Sequence, residues 1–74
     1  MELEVEHQFF KRILPELQKE HMGEHVLIKG EKVIAFYDNR DDAVREGFKQ
    51  FPHQAIYVKQ ILDKYEPIKF FSIF

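Results

Sequence analysis

The amino-acid sequence predicts an α+β fold with two layers, in which two helices lie on one face of a small mixed β-sheet. Three observations favour it. A helical apolar pattern opens the chain, a β-branched segment with a central glycine follows, and a second helical pattern precedes a third strand-like segment. The predicted order is α-β-β-α-β, and the last residues form either a fourth C-terminal strand or an apolar tail. The chain has 74 residues, which predicts a single small domain, residues 1–74.

The first helix is predicted over residues 3–21. Pro15 removes one backbone hydrogen bond, but it lies on the polar side of the helical wheel, so we expect a kinked helix or two short collinear ones. Gly23 ends the helix. The apolar residues occupy about half of the wheel, and they are Val5, Phe9, Phe10, Ile13, Leu14 and Leu17.

A hairpin is predicted over residues 25–37, because Gly30 suits the first central position of a two-residue type II′ turn. Both faces of this hairpin are apolar, whereas a hairpin with one wet face alternates apolar and polar residues. The expected register pairs Ile28 with Val33, Val26 with Ala35, Leu27 with Ile34, and His25 with Phe36.

The second helix is predicted over residues 38–51, with Asp38 or Asn39 as the N-cap and a proline at position 52 as the stop. A third strand follows over residues 54–61, and the segment PIKFFSIF, residues 67–74, completes the sequence. The predicted core consists of Phe9, Ile13, Leu17, Val26, Ile28, Val33, Ala35, Val44, Phe48, Phe51, Ile56 and Val58.

Composition excludes several classes of function. The net charge is -2, with charges of both signs interspersed, so no basic surface is available for nucleic acid or an anionic membrane. The N-terminal residues lack an apolar signal region, and no apolar run approaches the roughly 20 residues that span a bilayer. The absence of cysteine excludes disulfides and thiolate zinc sites. We therefore expect a cytoplasmic protein that binds neither nucleic acid nor membrane.

One stretch matches a catalytic pattern. The residues from His21 to His25 read H-M-G-E-H, which fits the H-x-x-E-H pattern of inverted zinc proteases. That chemistry needs both histidines on one helical face, but Gly23 ends the helix inside the motif. The sequence has no glycine-rich phosphate loop and no readable serine–histidine–acid set. We therefore expect no catalytic residue, no cofactor and no metal ligand.

Surplus apolar surface is the most informative feature of the sequence. If both helices lie on one face of the sheet, the second face of the hairpin is uncovered, and the C-terminal segment adds further apolar residues. That segment either folds back over its own sheet or bridges to another chain. We favour bridging, because one short tail is too small to cover a whole face. The predicted contact surface comprises Leu27, Ile34, Phe36, Ile68, Phe70, Phe71, Ile73 and Phe74.

The stretches GEHVLIKGEKVIAFYDNRDDAVREGFKQF and AIYVKQI resemble a family of short, uncharacterised prokaryotic domains. The shared outline is a glycine, two strands around a turn, an acidic-capped helix and a V-K-Q-like strand. The resemblance covers most of the chain, but its motifs are structural and imply no catalytic residue. It also implies that relatives can be encoded beside aspartic-type proteases of the retroviral kind.

The predicted function is a non-catalytic protein-interaction module that self-associates as a dimer or binds another protein. One alternative is a small enzyme with a site shared between subunits, in which Glu20, His21, Glu24 and His25 converge. Another is an accessory partner of a separately encoded protein such as an aspartic-type protease.

Overall fold

The computed structural model describes residues 3–63 and confirms the predicted α+β class and the order α-β-β-α-β. The predicted fourth strand, residues 67–74, lies outside the described residues. The elements are helix α1 (Glu4–Glu20), strand β1 (His25–Lys29), strand β2 (Lys32–Tyr37), helix α2 (Arg40–Gln50) and strand β3 (Tyr57–Gln60).

The three described strands lie in the order β2-β1-β3, and β1 pairs antiparallel with both neighbours. The prediction of a mixed sheet was therefore wrong for this part of the chain. Strands β2 and β3 run in the same direction, but β1 lies between them and takes the hydrogen bonds of both. Helix α2 connects the two outer strands and must cross over β1 to do so.

A β-bulge in β2 changes the predicted hairpin register. Gly30 has a positive φ of 63°, and Ile28 pairs with Val33 as predicted. The register then shifts by one residue at Ile34, which is the extra residue of the bulge. Beyond it, three predicted pairs are replaced by the pairs Leu27 with Ala35, Val26 with Phe36, and His25 with Tyr37.

Helix α1 covers one face of the sheet. Its residues Phe10 and Leu17 are 2% and 6% exposed and pack against Val26 and Ile28 of β1. Tyr57 and Ile61 belong to the same cluster. Helix α1 is continuous through Pro15, which is exposed as predicted and faces water. Helix α1 ends at Glu20, and its C-cap His21 lies two residues before Gly23, whose φ is 88°.

Helix α2 covers the opposite face, which corrects the prediction that both helices share one face. Ala43 is fully buried on this helix, and a Cβ at Gly47 would lie within 3.1 Å of the side chain of Leu27. Leu27 alternates with Val26 and Ile28 along β1, so it points away from α1. The described fold therefore has three layers, a helix on each side of one sheet, and both apolar faces of the hairpin are covered.

The same contact corrects the predicted face of α2. The small residues Ala43 and Gly47 face the sheet, and the predicted core residue Phe48 is 49% exposed. Of the other predicted core residues, Leu17, Val26 and Ile28 are buried. Those that are half-buried are Phe9, Ile13, Val33, Ala35, Val44, Phe51, Ile56 and Val58.

Candidate functional site

The H-x-x-E-H residues lie at the junction of α1 and β1, and they do not share a helical face. His21 is the C-cap of α1, and its Nδ1 donates to Glu24 Oε1 at 2.9 Å. The His21 ring stacks on Phe36 with a centroid distance of 3.6 Å and an interplanar angle of 4°. His25 lies at the start of β1, where its Nδ1 is buried and has no hydrogen-bond partner within residues 3–63. This junction therefore fastens the end of α1 to the outer strand β2.

No group of three or more histidine and acidic side chains within residues 3–63 has the arrangement of a metal site. His21 and Glu24 are joined by their hydrogen bond, and Glu20 is exposed. Neither helix in the same part of the chain has the length and apolar composition needed to cross a bilayer.

The residues of the predicted contact surface do not lie together on one surface of the described fold. Leu27 was wrongly predicted to belong to it, because this residue is 0% exposed and lies under α2. Ile34 and Phe36 are half-buried on β2, where Phe36 also packs against the core on the α1 side. The remaining members lie outside the described residues, and they are Ile68, Phe70, Phe71, Ile73 and Phe74.

Strand β2 forms one outer edge of the sheet, and we call its outer side, residues Lys32–Tyr37, the β2 edge. In the described part of the chain, no further strand pairs with it. The five residues after Lys32 are all half-buried, and none carries a charge. An edge with five consecutive uncharged residues invites pairing with another strand, although Lys32 and the bulge at Ile34 oppose such pairing.

A groove of about 550 Å³ lies at the other side of the sheet, along β3. We call it the β3 groove. Helix α2 and the strand supply its apolar wall, and α1 reaches it with Leu3 and His7. The half-exposed side chain of Phe48 stands in this wall. The complete lining is Leu3, His7, Arg40, Val44, Phe48, Ile56, Tyr57, Val58 and Lys59.

The polar side chains that line the β3 groove are Arg40 of α2, Lys59 of β3, and His7 and Tyr57 on the side of α1. His7 Nδ1 and the hydroxyl of Tyr57 share a hydrogen bond of 2.8 Å, and Tyr57 is 8% exposed. The Tyr57 ring also packs obliquely against Phe10, at a centroid distance of 5.9 Å. The hydrogen bond with His7 and the ring contact with Phe10 hold the Tyr57 side chain in place in the groove. Most of the other lining residues are apolar, so the groove is suited to contact by apolar groups.

One buried carboxylate connects α1 to the hairpin turn. Glu6 is 7% exposed, and its Oε2 accepts a hydrogen bond of 2.8 Å from the backbone N–H of Gly30. A buried charge is costly unless it is hydrogen-bonded, and this bond also satisfies a turn donor. We assign Glu6 a structural role. Reasoning from the sequence missed it because its partner is a backbone atom 24 residues away.

The β2 edge and most of the β3 groove lie within a part of the chain that matches a family model. Residues 16–65 match the family of unknown function DUF5678, and this match covers more than half of the chain. The chain belongs to that family. The DUF5678 match begins within α1, contains the whole described sheet and α2, and ends shortly after β3. It confirms the resemblance to a family of uncharacterised domains. No curated protein and no solved structure matches the chain.

The DUF5678 match includes the β2 edge and most of the β3 groove. Two groove residues lie outside the match, the α1 N-cap Leu3 and His7 of α1, and so does the segment 67–74. Sequence reasoning missed the groove because it placed α2 on the wrong face. The signal was available in the small residues Ala43 and Gly47, which are one helical turn apart and allow close packing on the sheet.

Proposed function

We propose that this chain is a non-catalytic protein-interaction module that self-associates through the β2 edge. The observation that supports the proposal is the outer side of β2, which pairs with no further strand within residues 3–63 and has no charge after Lys32, in a sheet whose two faces are each covered by a helix. A second copy is the occupant because an antiparallel strand pair about a two-fold axis makes the same edge complementary to itself. The described sheets of the two copies, with three strands each, would then join into one continuous sheet.

Charge selects the register of this pairing. When the two-fold axis passes through Ala35, Lys32 lies opposite Asp38 of the second copy, and Ile34 lies opposite Phe36. If the axis instead passes between Ile34 and Ala35, Glu31 lies opposite Asp38 of the second copy. Two like charges directly opposite each other destabilise an antiparallel pair. If the axis passes between Ala35 and Phe36, the charged Asp38 lies opposite the apolar Val33. The register on Ala35 is the one that pairs unlike charges and keeps apolar side chains together.

The expected dimer is weak. Each backbone hydrogen bond adds a net stabilisation of roughly 0.5–1.5 kcal/mol, and a six-residue edge forms only a few of them. Association costs about 4–15 kcal/mol in lost translational and rotational freedom. The dissociation constant should therefore lie in the micromolar range or above, and sedimentation must cover concentrations up to the millimolar range.

The test is a charge reversal at Lys32, whose side chain is exposed in the monomer. K32E replaces two symmetric attractions by two repulsions. Since an exposed ion pair contributes about 0.2–1 kcal/mol, the dissociation constant should rise at least roughly 2- to 30-fold. The double variant K32E/D38K should recover the affinity of the original chain. K11E makes the same change of charge on the exposed side of α1 and should leave the affinity unchanged.

Analytical ultracentrifugation of the four proteins separates the outcomes. A chain that stays monomeric up to the millimolar range would refute self-association. If K32E and K11E weaken the dimer equally, the contact between the two copies does not lie at the β2 edge. A different partner, such as the aspartic-type protease implied by the family resemblance, would be supported if the chain is monomeric and that protease binds it in a manner sensitive to K32E.

A further inference from the structure

We infer that a pocket beside the hairpin turn binds a small zwitterion, a molecule that carries both an ammonium group and a carboxylate, as a free amino acid does. We call it the turn pocket. Its volume is about 260 Å³, and its lining is Leu3, Glu6, Lys29, His53, Gln54 and Ala55. It shares no residue with the β2 edge, so the inference is independent of the proposed self-association.

Three parts of the chain form the turn pocket. Glu6 comes from the first turn of α1, Lys29 is the last residue of β1, and residues 53–55 lie in the loop between α2 and β3. The Lys29 Nζ makes a long hydrogen bond of 3.5 Å to the carbonyl of Ala55 and lies 5.6 Å from the centre of the Phe51 ring. These contacts hold the Lys29 ammonium group on one side of the pocket.

The Glu6 carboxylate has one oxygen that is available to a ligand. Glu6 is 7% exposed, and its Oε2 accepts from the Gly30 N–H at 2.8 Å. Its Oε1 has no hydrogen bond or ion pair within residues 3–63. In the same range, His25 Nδ1 is the one fully buried side-chain atom without a partner, so Glu6 Oε1 retains contact with solvent. Because Glu6 lines the turn pocket, this oxygen is reached from the pocket.

A buried carboxylate is costly unless its oxygens are paired, and it accepts up to about four hydrogen bonds. The one donor that Glu6 has in the described fold is a neutral backbone N–H. An ammonium group supplies both further donors and a compensating charge, and hydrogen bonds between charged groups are the stronger ones. The position of Oε1 therefore suits the ammonium group of a ligand.

Glu6 and Lys29 carry opposite charges in the same pocket, but no ion pair joins them within residues 3–63. The ion pairs of the described chain are formed by other residues. A ligand with a single charge is attracted by one of the two side chains and repelled by the other. A zwitterion places its ammonium group against Glu6 and its carboxylate against Lys29, so both contacts are favourable.

The size of the turn pocket limits the ligand. Its volume is below the roughly 300–1,000 Å³ of sites for drug-sized molecules. Leu3 and Ala55 are the apolar residues of the lining, so the affinity depends mainly on the two charges. We therefore expect a dissociation constant in the millimolar range that rises with salt concentration.

Titrations followed by ¹⁵N NMR of the full chain test the inference. The probes are glycine, β-alanine and γ-aminobutyrate, in which the distance between the two charges increases, and ethylammonium and acetate, which carry one charge each. At least one zwitterion should shift the amide signals of Gly30, Gln54 and Ala55 in a saturable way. At the same ionic strength, the ions with one charge should bind about 10-fold more weakly or worse, because one charge-assisted hydrogen bond is missing.

Two variants remove the charges of the pocket one at a time. Glu6→Gln keeps an oxygen for the Gly30 N–H and should weaken the best zwitterion by about 10-fold or more. Lys29→Met keeps an apolar side chain beside Phe51 and should weaken it by roughly 2- to 5-fold, since Lys29 is half-buried and its charge is screened. Lys19→Met makes the same substitution at an exposed position in the last turn of α1 and should leave the dissociation constant unchanged.

Three results would overturn the inference. The first is that no zwitterion produces a saturable shift up to the high millimolar range. The second is that ethylammonium or acetate binds as tightly as the best zwitterion. The third is that Lys29→Met and Lys19→Met have equal effects. If Glu6→Gln does not fold, which its amide spectrum would show, the comparison of ligands and the two lysine variants still decide the question.

Discussion

Gly47 lies where α2 makes its closest approach to the sheet, so Gly47→Ala tests the central packing contact of the fold. A Cβ at this position would lie 2.7 Å from Ile56 Cδ1 and 3.1 Å from Leu27 Cδ1. Ile56 is half-buried and can turn its terminal methyl towards the β3 groove. Leu27 is 0% exposed and has no such freedom, so it must shift by a few tenths of an ångström.

Two opposing terms set the size of the effect. Alanine in place of glycine stabilises a helix interior by about 0.5–1 kcal/mol. Overpacking a well-filled core costs about 1–3 kcal/mol. We therefore expect Gly47→Ala to lower the free energy of unfolding by about 1 kcal/mol. If position 47 did not pack against Leu27, the same substitution would raise the free energy of unfolding.

Urea denaturation followed by circular dichroism gives the required free energies, provided that the slope with urea is unchanged among variants. The difference between Lys49→Gly and Lys49→Ala, at an exposed position of the same helix, measures the propensity term alone. In an Ile56→Val background the closest methyl is absent but the contact with Leu27 remains, so Gly47→Ala should still lower the free energy of unfolding, by less than in the original chain. If Gly47→Ala stabilises the original chain as much as alanine over glycine does at Lys49, α2 does not pack on Leu27 as described.

Two other predictions concern α1. Phe10→Ala should cost about 3–5 kcal/mol because Phe10 is 2% exposed, and Phe9→Ala should cost clearly less because Phe9 is half-buried at the rim of the core. Equal losses in urea denaturation would mean that α1 is rotated about its axis. Glu6→Ala should cost about 1–3 kcal/mol and speed hydrogen exchange at the Gly30 amide, because that buried bond is lost. Glu6→Gln keeps an acceptor oxygen and should lose less, and equal exchange rates in all three proteins would contradict the assigned bond.

The class and order of the elements could be predicted because each element carries its own local signal. The stop at Gly23, the turn at Gly30 and the N-cap on α2 all depend on residues within a few positions. Asn39, one of the two predicted caps, accepts from the Asp42 N–H at 2.8 Å. Signals of this kind do not depend on the rest of the fold.

The relation between elements was harder to predict, because it depends on contacts between distant residues. The bulge at Ile34 shifts the register by one position, and a one-residue shift moves each later side chain to the other face. The face of α2 was missed because Val44, Phe48 and Phe51 form the more apolar stripe, whereas close packing on the sheet favours Ala43 and Gly47. Once α2 was placed on the wrong face, the groove beside β3 could not be seen.

The strand order β2-β1-β3 also constrains how the chain reaches its native state. Strands β1 and β2 are joined by a two-residue turn and can pair early, while β3 pairs with β1 only after a loop of more than 25 residues has closed. Until then, one side of β1 exposes its backbone groups next to Val26, Leu27 and Ile28, three residues that are fully buried in the native sheet. The order in which these strands emerge from the ribosome prolongs that interval, since β3 is synthesised last of the three. Refolding at high concentration should consequently lose more protein to aggregation than refolding at low concentration.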